Sequence, residues 1–144
     1  MWAVFAVCAS VFWGIVYALD EQIFKHISFY TSFAIATALA TVVFIALALT
    51  TGSLHKDVGT LMTNRWVLVL TLASAVAFLI AHILIALSII GKNATVAGLI
   101  EISYPLFIII ATYLLFRESH LSLGTAAGGA LIAAGVAVIY LTSK

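Results

Sequence analysis

The sequence predicts an all-α integral membrane protein, with five transmembrane helices forming one domain over residues 1–144. Three observations predict it. Of the 144 residues, 65% are hydrophobic and 8% are charged, too few charges to cover a soluble domain. The apolar residues fall into five runs, each near the roughly 20 residues that a helix needs to cross a hydrocarbon core. The charges collect in the turns between those runs.

The first run covers about residues 2–24. It is long and has no basic segment before it, so it is taken as a span rather than a cleaved secretory leader. Cys8 lies inside it and is the only cysteine. It has no partner for an intrachain disulfide and is expected to be a small packing residue. A turn with Lys25 and His26 leads to the second run, 29–51. The one long connection follows, "GSLHKDVGTLMTNR", residues 52–65. Its Leu54, Val58, Leu61 and Met62 recur at helical spacing, so a short helix lying on the membrane surface is expected. The third run is 66–90. The turn after it, Gly91 to Asn93, is so short that the third and fourth runs must form an antiparallel hairpin. The fourth run is 94–116. A turn with Arg117, Glu118 and His120 leads to the fifth, 123–141. Trp2 and Trp66 fall at one membrane face and Tyr30 and Tyr140 at the other, as interfacial aromatic belts do.

Five spans put the two ends of the chain on opposite sides. Lys56, Arg65 and Arg117 face the N-terminal side, and Lys25, Lys92 and Lys144 face the other. Orientation normally follows a Lys/Arg bias between the sides, and this tally has none. A small chain with few charges reaches such a balance by chance; a chain that inserts both ways requires it. The net charge of +1 gives no reason to expect nucleic acid as a partner. There is no H-E-x-x-H, G-x-S-x-G or Cys-rich metal spacing, and the histidines are scattered at 26, 55, 82 and 120. No catalytic residue, metal or cofactor is therefore expected.

The ionisable groups inside the spans are the candidates for function. At 1.5 Å per residue, His82 and Glu101 lie about 13–15 Å from the side bearing the 91–93 turn, near mid-membrane, and Asp20 lies about 10 Å from it. A charge at that depth costs about 2.5–3.5 kcal/mol on insertion scales, so such groups face a cavity or a partner. A low-dielectric surround favours the neutral form of an acid, and an acid poised between its two forms suits proton coupling. Glu101 is the first candidate for proton coupling or substrate binding. The plainer role for it is a protonated acid bonded to a neighbouring helix. His82 and Asp20 are lesser candidates: the first could be satisfied by a backbone or hydroxyl partner, the second could cap the polar end of its helix beside Lys25.

Pro105 bears on Glu101 directly. A proline has no N–H, and its ring disturbs the carbonyl four residues earlier, which belongs to Glu101. Kinked helices free backbone groups that can line a binding site. Ala94, Ala97, Gly98, Tyr104, Pro105, Ile108 and Thr112 share a stripe with Glu101, and its small residues leave room. Trp13, Val16 and Tyr17 share the stripe of Asp20. Trp13, Tyr17, Tyr104 and Pro105 are thus expected to line a cavity, where rings and acids suit a cationic or amine-bearing substrate. Rings that only pack in the bundle are the alternative. In the fifth run, Gly124 and Gly128 form G-x-x-x-G, and Gly129 and Gly135 extend the set of small residues. Such residues let helices approach closely, at a subunit interface or within the chain; an interface is expected.

Two stretches carry a family resemblance. "VFWGIVYALDEQIFKHIS" (11–28), with its Trp-Gly pair, resembles the first helix of EamA-like members of the drug/metabolite transporter superfamily. "EISYPLFIIIATYLLFRESHLSLGTAAGGALIAAGVAVIYL" (101–141) resembles the end of their repeat: Pro105 in helix four, Glu118 after it, a short turn, and Gly129, Leu131, Ile132 and Gly135 in the pattern G-x-L-I-x-x-G. Most such transporters resemble two five-helix repeats fused in inverted orientation, and this sequence resembles one. The resemblance implies a half-size secondary transporter for a small molecule in a prokaryotic-type inner membrane. Joined to the charge tally, it implies an antiparallel, dual-topology homodimer in the lipid bilayer. Glu101 is not part of the family pattern, and its role rests on the physical argument above. The expectation from another class is a non-transporting membrane subunit that packs against a larger partner.

Overall fold

The computed structural model of the chain describes residues 1–119 and 121–143. Two residues named above, His120 in the last turn and Lys144 in the basic tally, lie outside the described residues. The elements in order are α1 (Trp2–Ile23), α2 (Phe29–Thr50), α3 (Ser53–Thr63), α4 (Arg65–Gly91), α5 (Ala94–Glu101), α6 (Tyr104–Phe116) and α7 (Leu123–Thr142). No strand occurs among the described residues. Five segments are long and apolar enough to cross a membrane: Trp2–Ile23, Phe29–Thr50, Arg65–Gly91, Ala94–Phe116 and Leu123–Thr142. The protein is an all-α integral membrane protein with five spans, as the sequence predicts. The connection after the second span does form a helix, α3.

Short polar residues start the helices. The Ser28 side chain accepts the Tyr30 N–H at 3.2 Å ahead of α2. Asn64 Oδ1 accepts the N–H groups of Trp66 and Val67 at 3.1 and 3.3 Å ahead of α4. Ser122 and Thr125 form a capping box on α7. Each supplies an acceptor to N–H groups that the first helical turn leaves unpaired. After α2 the chain turns at Gly52, whose φ of 70° suits a residue without Cβ. Inside the spans, hydroxyls of Ser10, Thr37, Thr41 and Thr71 bond carbonyls four residues back at 2.6–3.0 Å. A polar side chain in hydrocarbon is satisfied within its own helix in this way.

Few side chains are shielded by protein. Phe29, Ala86, Ile89, Ala94 and Ala97 are the buried apolar residues among those described, while Phe12, Phe44 and Leu131 are typical of the many exposed ones. Lipid tails are as apolar as leucine, so nothing drives these faces inward as water would.

The chain divides into two compact units. One comprises Gln22–Leu87. In it α2 packs on α3, and Phe24, Phe29 and Phe33 form an edge-on ring cluster with centroids 5.8–6.2 Å apart. The other comprises Met1–Glu21 and Ser88–Lys144. There α5 packs on α7, with Ala94 and Ala97 buried.

The fourth span is where the structure goes beyond the expected kink. The helix stops at Glu101, turns through Ile102 and Ser103, and restarts at Tyr104. Pro105 falls in the first turn of α6. A first-turn N–H has no intrahelical acceptor, so a missing one is harmless there. In an unbroken helix, by contrast, the Glu101 carbonyl would wait for a donor that proline lacks. The turn is tightened by bonds from Ser103 N–H to the Ile100 carbonyl (3.1 Å) and from Leu106 N–H to the Ser103 carbonyl (3.0 Å).

Candidate functional site

The site is assembled in the unit that contains most of α1, with α5 and α6. Tyr17 lies on α1, Glu101 is the last residue of α5, and the Tyr17 hydroxyl donates to Glu101 Oε2. Both residues are half-buried. Gly98 stands one turn before Glu101 on the same face of α5, since i and i+3 are neighbours on a helix. The Tyr17 ring rests there: a Cβ built on Gly98 would lie 3.1 Å from Tyr17 Cδ2. The room that the small residues leave beside Glu101 is therefore filled by Tyr17. The Tyr17 ring also meets Trp13, with centroids 5.8 Å apart and planes at 57°.

A second contact joins the same two helices. Glu21 Oε2 accepts the Ala94 N–H at 2.7 Å, and Asn93 Oδ1 accepts the Val96 N–H at 2.8 Å. The N-terminus of α5 thus has two side-chain acceptors, and the anionic one also suits the positive end of the helix dipole. Tyr17 and Glu21 are i and i+4 on α1, so one face of α1 holds α5 near both its ends. Tyr17 meets 98 and 101 while Glu21 meets 94, so α1 and α5 run in opposite directions here.

Asp20 is the buried acid among the described residues, at 8% exposure. Asp20, Glu101 and the Tyr104 phenol all act electrostatically on the Tyr17 hydroxyl. Tyr104 is itself exposed and Pro105 is half-buried. One unit therefore brings together Trp13, Tyr17, Asp20, Glu101, Tyr104 and Pro105, with two carboxyl groups around a phenol at a helix break.

His82 belongs to the other unit. Its Nδ1 lies 3.0 Å from the Phe78 carbonyl, an atom that only accepts, so the bond puts the hydrogen on Nδ1. Its ring also meets Phe78 and Phe33, with centroids 4.0 and 5.5 Å away. The glycines of α7 differ among themselves. Gly129 faces Leu106 of α6 so closely that a Cβ would lie 2.9 Å from Leu106 Cδ2. Gly124 has Ser122 Oγ as its nearest such neighbour at 3.8 Å, while Gly128 and Gly135 have nothing within 4 Å. Gly129 thus packs close to Leu106 of the same chain, and Gly128 and Gly135 have open space beside them. No group of three or more His, Cys, Asp or Glu side chains that could hold a metal occurs among the described residues.

Glu21 and the specific part played by Gly98 are what sequence reasoning missed. Helical spacing puts Glu21 on the Tyr17 face, but nothing local joins it to Ala94, 73 positions away. The family model for EamA-like transporters matches residues 1–141. No curated protein and no solved structure matches the chain.

Proposed function

The chain belongs to the EamA-like transporter family, and we propose that it carries a small metabolite, an amine or other cationic compound, across the membrane by alternating access coupled to protons through Glu101. The observation that carries this reading is the half-buried Glu101 carboxyl at the α5–α6 break, bonded by the Tyr17 hydroxyl. A carboxyl in a low-dielectric surround holds either a proton or a cation well, and not both. Exchange of one for the other couples the two movements. The Trp13, Tyr17 and Tyr104 rings add quadrupole attraction for a cation. Asp20, close to Tyr17, is the second acid that could share the exchange; His82, in the other unit, is a lesser candidate.

The five spans make one repeat, and the family architecture calls for an inverted second. A second copy of this chain inserted the other way supplies it, in keeping with the even basic tally. Glu101 lies about 13 Å from one surface by helix rise, so in a core about 30 Å thick the two acids of an antiparallel pair sit at nearly the same depth. Gly128 and Gly135 on α7 have the open space that a close helix contact needs. A prokaryotic cell membrane is the proposed host.

The test is uptake into proteoliposomes with a pH-sensitive dye inside, screened over amines and cationic metabolites. Wild-type protein should move protons with substrate, and Glu101→Gln, which keeps the shape and removes the titration, should not. Proton-driven transport by Glu101→Gln would remove Glu101 from the mechanism. A folded wild-type protein that neither transports nor releases protons on ligand addition would favour the non-transporting subunit.

A further inference from the structure

Glu101 and Tyr104 stand on either side of the helix break, as the last residue of α5 and the first of α6. Counted at 1.5 Å per residue from the 91–93 turn, Glu101 lies about 13 Å and Tyr104 about 18 Å from that surface. The middle of a core about 30 Å thick falls between them. Glu101 is half-buried, and Tyr104 is 57% exposed. The Tyr104 phenol is near enough to act electrostatically on the Tyr17 hydroxyl. Its own O–H makes no hydrogen bond among the described residues. A hydroxyl kept from water without an acceptor costs free energy, and a tyrosine side chain is too short to reach either headgroup region from mid-membrane. We propose that the Tyr104 hydroxyl donates to Glu101 of the partner subunit, a second copy of the chain inserted the other way, so that each copy completes the other's acid site.

This inference rests on the reading of the assembly as an antiparallel pair and names what the second copy contributes. A twofold axis in the membrane plane exchanges depths. Tyr104, about 18 Å from one surface, comes in the partner to about 12 Å from it. The partner's Tyr104 therefore lies within about 1–2 Å of the depth of Glu101. The same contact forms twice, as an isologous interface requires. A parallel pair instead sets like residues at equal depth and leaves phenol and acid about 4–5 Å apart in depth. The acid has room for the added donor. An ionised carboxylate offers about four acceptor places, and the Tyr17 hydroxyl uses one. The partner's Tyr104 uses a second, and the others remain for a ligand.

The experiment has two arms on the full chain. In the first, one copy carries Glu101→Cys and another Tyr104→Cys, both in a Cys8→Ala background with tags of different length. The copies are co-expressed and bridged in membranes with a short bifunctional thiol reagent. The mixed 101–104 bridge should form several-fold more than the 104–104 bridge; the opposite order overturns the proposal. In the second, uptake of phenethylammonium is measured for Glu101→Gln, for Tyr104→Phe and for the two co-expressed. Tyr104→Phe keeps the ring and removes the donor, and uptake should fall about tenfold. The mixed pair keeps one Glu101 facing an intact Tyr104, so co-expression should recover uptake. A Tyr104 that acts on Glu101 of its own chain, or only supports the fold, gives no recovery, which overturns the proposal. So does full uptake by Tyr104→Phe alone. Failure of the underlying reading looks different. Thiol labelling at Ser53 and Ser143 then shows one orientation, and the inference goes with the antiparallel pair. Partial labelling at both positions without the mixed bridge keeps dual insertion and overturns the inference alone. If wild type takes up no phenethylammonium, the bridging arm decides.

Discussion

Replacing Gly98 with alanine tests whether the seat of the Tyr17 ring sets the site. The added Cβ would lie 3.1 Å from Tyr17 Cδ2 and 3.5 Å from Cε2. The first distance is tight enough that the ring must give by a few tenths of an ångström. Those atoms belong to a rigid ring, so the whole side chain turns, and the hydroxyl at its far end moves farther than Cδ2 does. A hydrogen bond weakens steeply as it lengthens or bends, so the Tyr17–Glu101 bond should be largely lost. Two effects then oppose. Alanine in place of glycine within a helix gains up to about 1 kcal/mol. Loss of a hydrogen bond to a charged group costs about 1.5–3 kcal/mol. The bond wins, and Gly98→Ala should be less stable by about 0.5–2 kcal/mol, the difference of the two. Denaturant or thermal unfolding of the detergent-solubilised protein measures this. The Tyr17→Ala background gives the control, because ring and hydroxyl are both gone there and Gly98→Ala should turn neutral or stabilising. Gly98→Ala that stabilises the wild-type protein by about 1 kcal/mol would refute the account, since helix propensity alone would then explain the result.

Other perturbations reach the neighbouring contacts. Glu21→Ala removes the acceptor from the Ala94 N–H and should cost about 0.5–2 kcal/mol, with faster amide exchange confined to the first turn of α5; unchanged exchange there would deny Glu21 its capping role. Glu21→Gln keeps an acceptor and should lose less. Pro105→Ala restores an N–H that can reach the Glu101 carbonyl, so thermal stability should be equal or higher while uptake weakens; unchanged uptake would make the helix break a packing detail. Single cysteines at Ser53 and Ser143 in a Cys8→Ala background should each be partly labelled by an impermeant thiol reagent on intact cells. Full labelling at one and none at the other means a single orientation. Two lysines added to the 91–93 turn should bias insertion and lower activity, and a copy biased the other way should restore it.

The five spans, the helix α3 and the tight 91–93 turn are legible in the sequence because each depends on neighbours along the chain. Apolar length sets a span, and Ser28, Asn64, Asn93 and Ser122 cap the helices that follow them. Pro105 announces a disturbance at Glu101 by covalent chemistry alone, since the donor for that carbonyl is absent. Whether the disturbance is a bend or a full stop was a matter for the fold, which ends α5 at Glu101 and starts α6 with the proline in its first turn. The partner of Glu101 was also beyond the sequence. Tyr17 is 84 positions away, and Glu21 is 73 from Ala94. Helical spacing gives the angle of a side chain about its own axis but not the helix it meets. A soluble helix narrows that choice by having one apolar face. Here the helices are apolar on nearly every face, and the stripes of Asp20 and Glu101 mark a polar side without naming the helix that each one meets. Only the packing of α1 on α5 decided that the gap beside Glu101, left by Gly98, holds the ring of Tyr17.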